Sequence, residues 1–90
     1  MRLVWRDMAR NDRLRIMDHI AQANPKAAIS LDESFAEKAK RAAQAPSIYK
    51  PGRYPGTREI VIHPNYVMIY RVLGDIVEIV RILHARQQWP

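Results

Sequence analysis

The sequence contains no cysteine, which excludes disulfide bonds, thiol catalysis and zinc sites with cysteine ligands. It also has no Walker-type glycine loop, no serine nucleophile motif and no metal-ligand spacing, so we expect no cofactor and no metal. No apolar run approaches the length of a membrane span, and the N-terminus MRLVWRDMAR has no apolar core of signal-peptide length. The cytoplasm is therefore the expected compartment, with no membrane partner.

The size and charge of the chain predict one small basic domain, residues 1–90. A chain of 90 residues has a thin margin of stability, so a large exposed apolar surface would be expected to serve a partner. The formal net charge is +6 at pH 7. Such a balance favours a polyanion or an acidic protein as partner, and it is also compatible with a basic soluble surface that binds neither.

The first half of the chain predicts a short strand and two helices. The apolar run at residues 2–5 suits a strand, and Asp7 is placed to cap the helix after it. Asn24 and Pro25 predict an N-cap and the first turn of a second helix, so the two helices should form an antiparallel hairpin. Apolar and small side chains at helical spacing mark their buried faces: Ala9, Ile16, Met17 and Ile20, then Ala28, Leu31, Phe35, Ala39 and Ala42.

The second half predicts β structure. Residues 45–56 hold three prolines and two glycines and predict a loop, and segments 57–63, 65–73 and 76–84 are rich in β-branched residues and tyrosine. Gly74 and Asp75 predict a two-residue hairpin turn, which places Arg71 opposite Glu78.

This register makes both faces of the hairpin largely apolar. One face should carry Val67, Ile69, Arg71, Leu73, Ile76, Glu78, Val80, Ile82 and His84, and the other Tyr66, Met68, Tyr70, Val72, Val77, Ile79, Arg81 and Leu83. Two helices can cover one face only. We infer that a protein partner covers the second face; the alternative is that loop 45–56 or the chain ends cover it.

Several segments together resemble the RelE/ParE superfamily of type II toxins, and more closely its ParE-like branch. They are a tryptophan near the N-terminus, a helical hairpin interrupted by Asn-Pro, PGTREIVIHPNYVMIYRV and VEIVRILHARQQWP. The resemblance covers nearly the whole chain and is densest over residues 52–90; Arg13 departs from it, at a position where leucine is expected. It implies an α+β fold in which an N-terminal antiparallel helical hairpin packs on a small twisted antiparallel β-sheet. It also implies a cognate antitoxin as partner, with DNA contacted only indirectly through that antitoxin.

The superfamily divides by target, and the resemblance leaves two targets open. ParE-like members act on DNA gyrase, whereas RelE-like members are ribosome-dependent mRNA endonucleases. In the nucleases an arginine follows the tyrosine that corresponds to Tyr66, but here the next residue is Val67. Because the register puts Val67 on the face of His84, the loss would fall in the nuclease site. We therefore favour a gyrase-directed toxin that is not an enzyme, with the nuclease, acting on ribosome-bound mRNA, as the alternative. A binding module without toxicity is a third possibility.

The site residues follow from these alternatives. A nuclease would use His84 and Arg86, with Glu59 or His63 as a further acid or base. Target contacts are expected from Arg58, His84, Arg86 and Trp89, although Trp89 could instead fold back onto the hydrophobic rim. Antitoxin contacts are expected from the apolar second face, at Val67, Ile69, Val80 and Ile82. Tyr66 and Tyr70 could form a base-stacking platform, but packing under the helices is the preferred interpretation.

Overall fold

The computed structural model describes residues 1–90 and contains two helices and four strands. In chain order these are β1 (Arg2–Trp5), α1 (Asp7–Ala23), α2 (Pro25–Gln44), β2 (Arg58–His63), β3 (Tyr66–Leu73) and β4 (Ile76–His84). The helical hairpin packs on one face of a single sheet with strand order β1-β4-β3-β2. Neither helix is long and apolar enough to cross a membrane.

The sheet is mixed, whereas the sequence predicted an antiparallel one. Strands β2, β3 and β4 are antiparallel neighbours, as expected, but β1 pairs in parallel with β4. The reason is the long connection between the two strands. The chain passes through both helices and the β2–β3 hairpin before it reaches β4, and β1 lies at the free edge of β4. Parallel neighbours require such a long crossover.

The two helix starts differ in how well the sequence predicted them. Asn24 caps α2, since its side chain accepts a hydrogen bond from the Ala27 N–H, and Pro25 is the first helical residue, as predicted. The prediction that Asp7 caps α1 is wrong. The Arg6 N–H donates to the Ile79 carbonyl, so the extended backbone continues through Arg6 and Asp7 becomes the first helical residue. There its carboxylate lies near the positive end of the helix dipole.

Arg13 stands where the family resemblance predicts leucine. Its guanidinium group makes two specific contacts within the fold. That group lies 4.8 Å from the centre of the Trp5 ring. It also donates two hydrogen bonds to the Asp32 carboxylate, at 2.6 and 3.1 Å. Arg13 therefore joins β1, α1 and α2 through a cation–π contact and a bidentate ion pair, where a leucine would supply only apolar contact.

The β3–β4 hairpin has the predicted register near its turn and a different one beyond it. Arg71 pairs with Glu78, and their side chains are joined at 2.7 Å, as predicted. Gly74 supplies the positive φ of 57° that the turn needs. The register then shifts between Ile69 and Tyr70, because β4 carries one extra residue, Val80. Such a β-bulge reverses the face of the side chains from Ile82 onward, while Arg81 still reaches Asp12 on the helical side.

Three residues in β4 lie on the face opposite to the one predicted, because of the bulge. Ile82 packs in the main core under the helices, and His84 pairs with Tyr66 on that same side of the sheet. Leu83 moves to the second face, where it packs with Ile69 and Val80. The prediction that Ile82 and His84 share a face with Val67 is therefore wrong.

The second face of the sheet is covered largely by the chain itself. Ile69 and Leu83 are fully buried there, although no helix packs on that side, and the half-buried Trp89 packs against them. The Trp89 ring meets the Tyr54 ring edge to face, with centroids 5.6 Å apart. The chain end and the proline-rich loop thus cover this face, as the alternative prediction had it. The second face therefore does not require a partner over its whole extent.

A buried carboxylate in α1, that of Asp12, fixes the helices to the bulged strand. It accepts hydrogen bonds from the Arg81 guanidinium at 2.7 and 3.1 Å, from the Ile82 N–H at 3.0 Å and from Arg15 at 2.6 Å. Strand β1 ends at Trp5, opposite Ile79, so Asp12 satisfies a strand N–H that β1 does not reach. The Asp12 hydrogen bond also raises the pKa of Arg81, which is therefore a fixed positive charge.

We expect Asp12→Ala to reduce the free energy of unfolding by about 3–5 kcal/mol, because it leaves the largely buried Arg81 charge and the buried Ile82 N–H without a partner. That is a large part of the roughly 5–15 kcal/mol available to a typical domain. Urea unfolding followed by circular dichroism measures the change. The control is Asp18→Ala, an exposed aspartate of the same helix, which should change stability by less than about 0.5 kcal/mol. Equal losses in the two variants would contradict the role of Asp12.

Candidate functional site

The residues predicted for nuclease chemistry lie on opposite faces of the sheet. Glu59 pairs with Ile69 across β2 and β3 and so shares its face, which is the second face. His84 pairs with Tyr66 on the face that carries the helices. Cross-strand neighbours point to the same side of a sheet, so the two side chains are separated by the sheet itself. The structure does not bring Glu59 and His84 together.

Glu59 is fully occupied by a structural ion pair with Arg53. Its carboxylate accepts from the Arg53 backbone N–H at 2.7 Å and from the guanidinium at 2.9 and 3.2 Å. The hydrogen bond from the Arg53 side chain is the main reason why the pKa of Glu59 is lowered, and the same bond raises the pKa of Arg53. Glu59 is therefore ionised and has no proton to donate near neutral pH.

The Arg53–Glu59 pair organises the proline-rich loop and the C-terminal tail. Arg53 also donates to the Gln87 carbonyl at 3.1 Å, which fixes the tail that carries Trp89. The backbone passes close by at Gly52, where an added Cβ would lie 2.5 Å from the Thr57 hydroxyl oxygen. The Thr57 hydroxyl is held by the Tyr54 carbonyl, so a larger residue at position 52 would displace a bonded side chain.

The predicted target contacts do not form one patch. Arg58 donates to the Tyr49 carbonyl at 2.6 Å and supports the loop, while Trp89 is packed on the second face. Arg86 is exposed, and its backbone N–H donates to Nδ1 of His84 at 3.2 Å. His84 and Arg86 are thus adjacent and accessible, and Arg58 and Trp89 have structural contacts. Their predicted role in target binding stays a prediction.

The predicted antitoxin contacts are divided in the same way. Ile82 lies in the main core, so its assignment to the second face is wrong. Val67, Ile69 and Val80 do lie on the second face, but each is less than a tenth exposed. Their antitoxin role stays a prediction, for residues that the tail and the loop cover.

Part of the second face remains open beside the tail, and we call this region the second-face hollow. Its volume is about 520 Å³. It is lined mainly by aromatic, aliphatic and basic side chains: Arg6, Tyr54, Arg71, Leu73, Val80 and Trp89. Leu73 is 46% exposed at its edge. An apolar hollow with two arginines suits a peptide that carries both aliphatic and acidic side chains.

A second concave surface lies on the other side of the sheet and was not predicted from the sequence. We call it the histidine groove. It runs between α1, the start of α2 and the β2–β3 turn, and its side chains include all three histidines of the chain: Arg15, His19, Ser30, Ser34, His63, Asn65, Tyr66, His84 and Gln87. The rings of His63 and His84 lie 6.1 and 5.8 Å from that of Tyr66.

Two bulges assemble this groove. β2 shifts register between Val61 and His63, as β4 does at Val80, and each shift brings one histidine to the side of Tyr66. Regular alternation would place both histidines on the second face. The only signal in the sequence is that His63 precedes Pro64, which disfavours a regular ladder there. The Tyr66 ring packs on Phe35, and Tyr70 is buried, as expected for tyrosines under the helices.

The chain belongs to the ParE toxin family. Residues 3–89 match the family described as ParE toxin of type II toxin-antitoxin system, parDE. A solved structure described as a chromosomal ParDE toxin–antitoxin system from P. aeruginosa superposes with a TM-score of 0.83 at 26% identity, over 93% of this chain and 95% of that one. The chain is thus a toxin of a type II toxin–antitoxin system, and a cognate antitoxin is implied as its partner.

Other relatives place the chain in the wider RelE/ParE superfamily. Toxin RelE2 of Caulobacter vibrioides is 38% identical over 86 residues, which cover 92% of this chain and 93% of that protein. A candidate toxin of Sinorhizobium fredii, Y4kP, is 36% identical over 73 residues, 80% of this chain and 75% of that protein. A YoeB/ParE toxin from Agrobacterium tumefaciens shares the fold, with a TM-score of 0.67 at 18% identity over 93% of this chain and 98% of that one.

We expect Glu59→Gln to change how stability depends on acid. The pKa of Glu59 is lowered from 4.5, so its contribution is present above that pH and is lost as the pH falls through the lowered pKa. The variant should be less stable by about 1–3 kcal/mol at pH 7, through loss of charge-assisted hydrogen bonds, and the difference should disappear in strong acid. Chemical unfolding at a series of pH values measures this. Glu37→Gln, on the exposed side of α2, is the control and should show no such difference.

Proposed function

We propose that this chain arrests growth by inhibiting DNA gyrase in the cytoplasm, and that its cognate antitoxin prevents this. The observation that carries the proposal is the separation of Glu59 and His84 by the sheet. RNA cleavage through the 2′-hydroxyl requires a base and an acid on either side of one phosphate, both within hydrogen-bond reach. Glu59 and His84 cannot meet that requirement as a pair, and the family match to ParE toxins supports a target other than mRNA.

Val67 does not decide whether His84 belongs to a nuclease site. Val67 and His84 are on opposite faces, so a residue at position 67 would not complete a site around His84. The position of Glu59 bears on that question instead. Its carboxylate is ionised, 8% exposed and held by Arg53, so it supports the loop and the tail and does not act together with His84.

A ribosome-dependent mRNA endonuclease is the second candidate, because one relative with 38% identity carries the name RelE2. In that case His84 and Arg86, which are adjacent and exposed, would be the residues that act on RNA. A function without toxicity, as a binding module, is what a failure of both activities would indicate.

We propose further that the antitoxin uses the second-face hollow. The hollow combines Leu73, Tyr54 and Trp89 with Arg6 and Arg71, and the net charge of the chain is +6. An acidic antitoxin segment with aliphatic side chains would bury the exposed edge at Leu73 and meet the arginines. Apolar anchors surrounded by charge are typical of such interfaces.

We expect the purified toxin to inhibit gyrase supercoiling of relaxed plasmid in proportion to its concentration, and the antitoxin to reverse the effect. Arg86→Ala should weaken inhibition by about tenfold, the usual consequence of losing one charged contact. Lys40→Ala, an exposed lysine on α2, is the control and should inhibit as the parent does.

Two results would contradict gyrase inhibition. One is unchanged supercoiling at a large molar excess of toxin. The other is cleavage of a translated message at codon positions in a ribosome assay, lost in His84→Ala, which would establish the nuclease. If neither activity appears and expression without antitoxin leaves growth unchanged, the binding-module interpretation holds.

We expect Leu73→Asp to weaken antitoxin binding by at least about tenfold, because it places a carboxylate where an acidic, aliphatic segment should pack. The side chain is 46% exposed, so thermal unfolding should change little. Leu14→Asp is the matched control, since Leu14 is 64% exposed on α1. Calorimetric titration measures both. Normal binding by Leu73→Asp, or an equal loss in the control, would place the antitoxin elsewhere.

A further inference from the structure

The histidine groove is lined by hydrogen-bond donors and by no carboxylate, a property that gyrase inhibition does not explain. Its walls carry imidazole, guanidinium, amide and hydroxyl groups, and no aspartate or glutamate lines it. The chain has nine acidic residues, and none of them is among the lining residues; Asp12, which holds Arg15, is buried and also pairs with Arg81. A concave surface with several donors and no carboxylate is complementary to an anion.

Two of the histidines are held so that each offers a donor. Nδ1 of His63 accepts the Asn65 N–H at 3.1 Å, and Nδ1 of His84 accepts the Arg86 N–H at 3.2 Å. Each neutral ring therefore carries its proton on Nε2, which makes that nitrogen a hydrogen-bond donor. His84 lies directly across from Tyr66 in the sheet, so the two rings have fixed relative positions.

Arg15 supplies a cation whose position is already fixed. One of its nitrogens donates to the buried Asp12 carboxylate at 2.6 Å, while the side chain remains 72% exposed and lines the groove. A guanidinium group tethered in this way loses less freedom on binding an anion, and its other N–H groups suit phosphate oxygens. Asp12 neutralises only part of the local charge, since it also pairs with Arg81.

The rest of the groove has room for more than an inorganic ion. The part beside the start of α2 has a volume of about 700 Å³, within the range of small-ligand sites. Its floor includes Ile20, Leu31 and Ile62, next to the hydroxyls of Ser30 and Ser34. The adjoining part, about 330 Å³, contains Arg15, His84 and Gln87, and His19 and Tyr66 line both parts. The polar part of the groove, around Arg15 and His84, thus continues into a more apolar part beside the start of α2.

We propose that the histidine groove binds the phosphate group of a nucleotide, with Arg15, His19 and His84 around the phosphate and the base over the apolar floor. The phosphate can come from a free mononucleotide or from the end of a single-stranded nucleic acid, which present the same group. The site requires no cleavage, and it does not depend on whether gyrase is the target. Phosphate oxygens accept the imidazole and guanidinium hydrogen bonds that the protein leaves open.

The test is a calorimetric titration at constant ionic strength with four probes: adenosine 5′-monophosphate, inorganic phosphate, a short single-stranded RNA with a 5′-phosphate, and adenosine. We expect the mononucleotide or the RNA to bind at least about tenfold more tightly than adenosine, because adenosine lacks the charged hydrogen bonds. Whichever of the two binds more tightly identifies the source of the phosphate. Phosphate alone should bind more weakly than either, since it leaves the floor empty.

The groove is tested with His19→Ala/His84→Ala, whose two rings are exposed and can be removed without opening the core. This variant should lose about tenfold or more in affinity for the phosphate-bearing probe and keep the parent melting temperature. Lys40→Gln removes a charge outside the groove and should bind as the parent does. Absence of binding at millimolar concentration, equal losses in both variants, or adenosine binding as tightly as its monophosphate would overturn the proposal. Supercoiling by the parent protein is a separate measurement, so failure of nucleotide binding and failure of gyrase inhibition can be told apart.

Discussion

The buried Asp12 carboxylate is the interaction on which the rest of the structure depends. It accepts hydrogen bonds from α1 and from β4, and so ties the helical hairpin to the strand at the point where β1 has ended. Without it, the bulged part of β4 would have an unpaired N–H and an unpaired guanidinium beside the core. The same carboxylate anchors Arg15 at the rim of the histidine groove, so one group joins the fold to a candidate site.

The two β-bulges decide the functional interpretation. Each adds one residue to a strand that flanks β3, and each brings a histidine to the side of Tyr66. Glu59 lies before the bulge in β2 and stays on the second face with Arg53 and the tail. His63 and His84 therefore lie on one face of the sheet, and the Glu59 carboxylate lies on the other. Acid–base cooperation between Glu59 and His84 is lost, and a groove lined by donors is formed.

Most of the fold could be predicted, because its signals are local. The helix boundary at Asn24 and Pro25, the turn at Gly74 and the pairing of Arg71 with Glu78 each depend on residues close in sequence. The candidate site could not be predicted to the same extent. Asp12 looked like one acid in a mixed-charge helix, and nothing nearby in sequence indicates that its partners are Arg81 and Ile82. The prediction that a partner covers the whole second face is wrong for a related reason, since Trp89 returns to that face from a tail without periodicity.

The sequence by itself determined the element order, the antiparallel hairpins, the basic character and the resemblance to RelE/ParE toxins, which the family match confirmed. These follow from local conformational preference and from periodicity, which any stretch of chain carries with it. Only the tertiary structure decided the parallel pairing of β1, the burial of Asp12 and the face on which each histidine lies. A bulge of one residue reverses a face at little local cost, and contacts between elements distant in sequence determine where it forms.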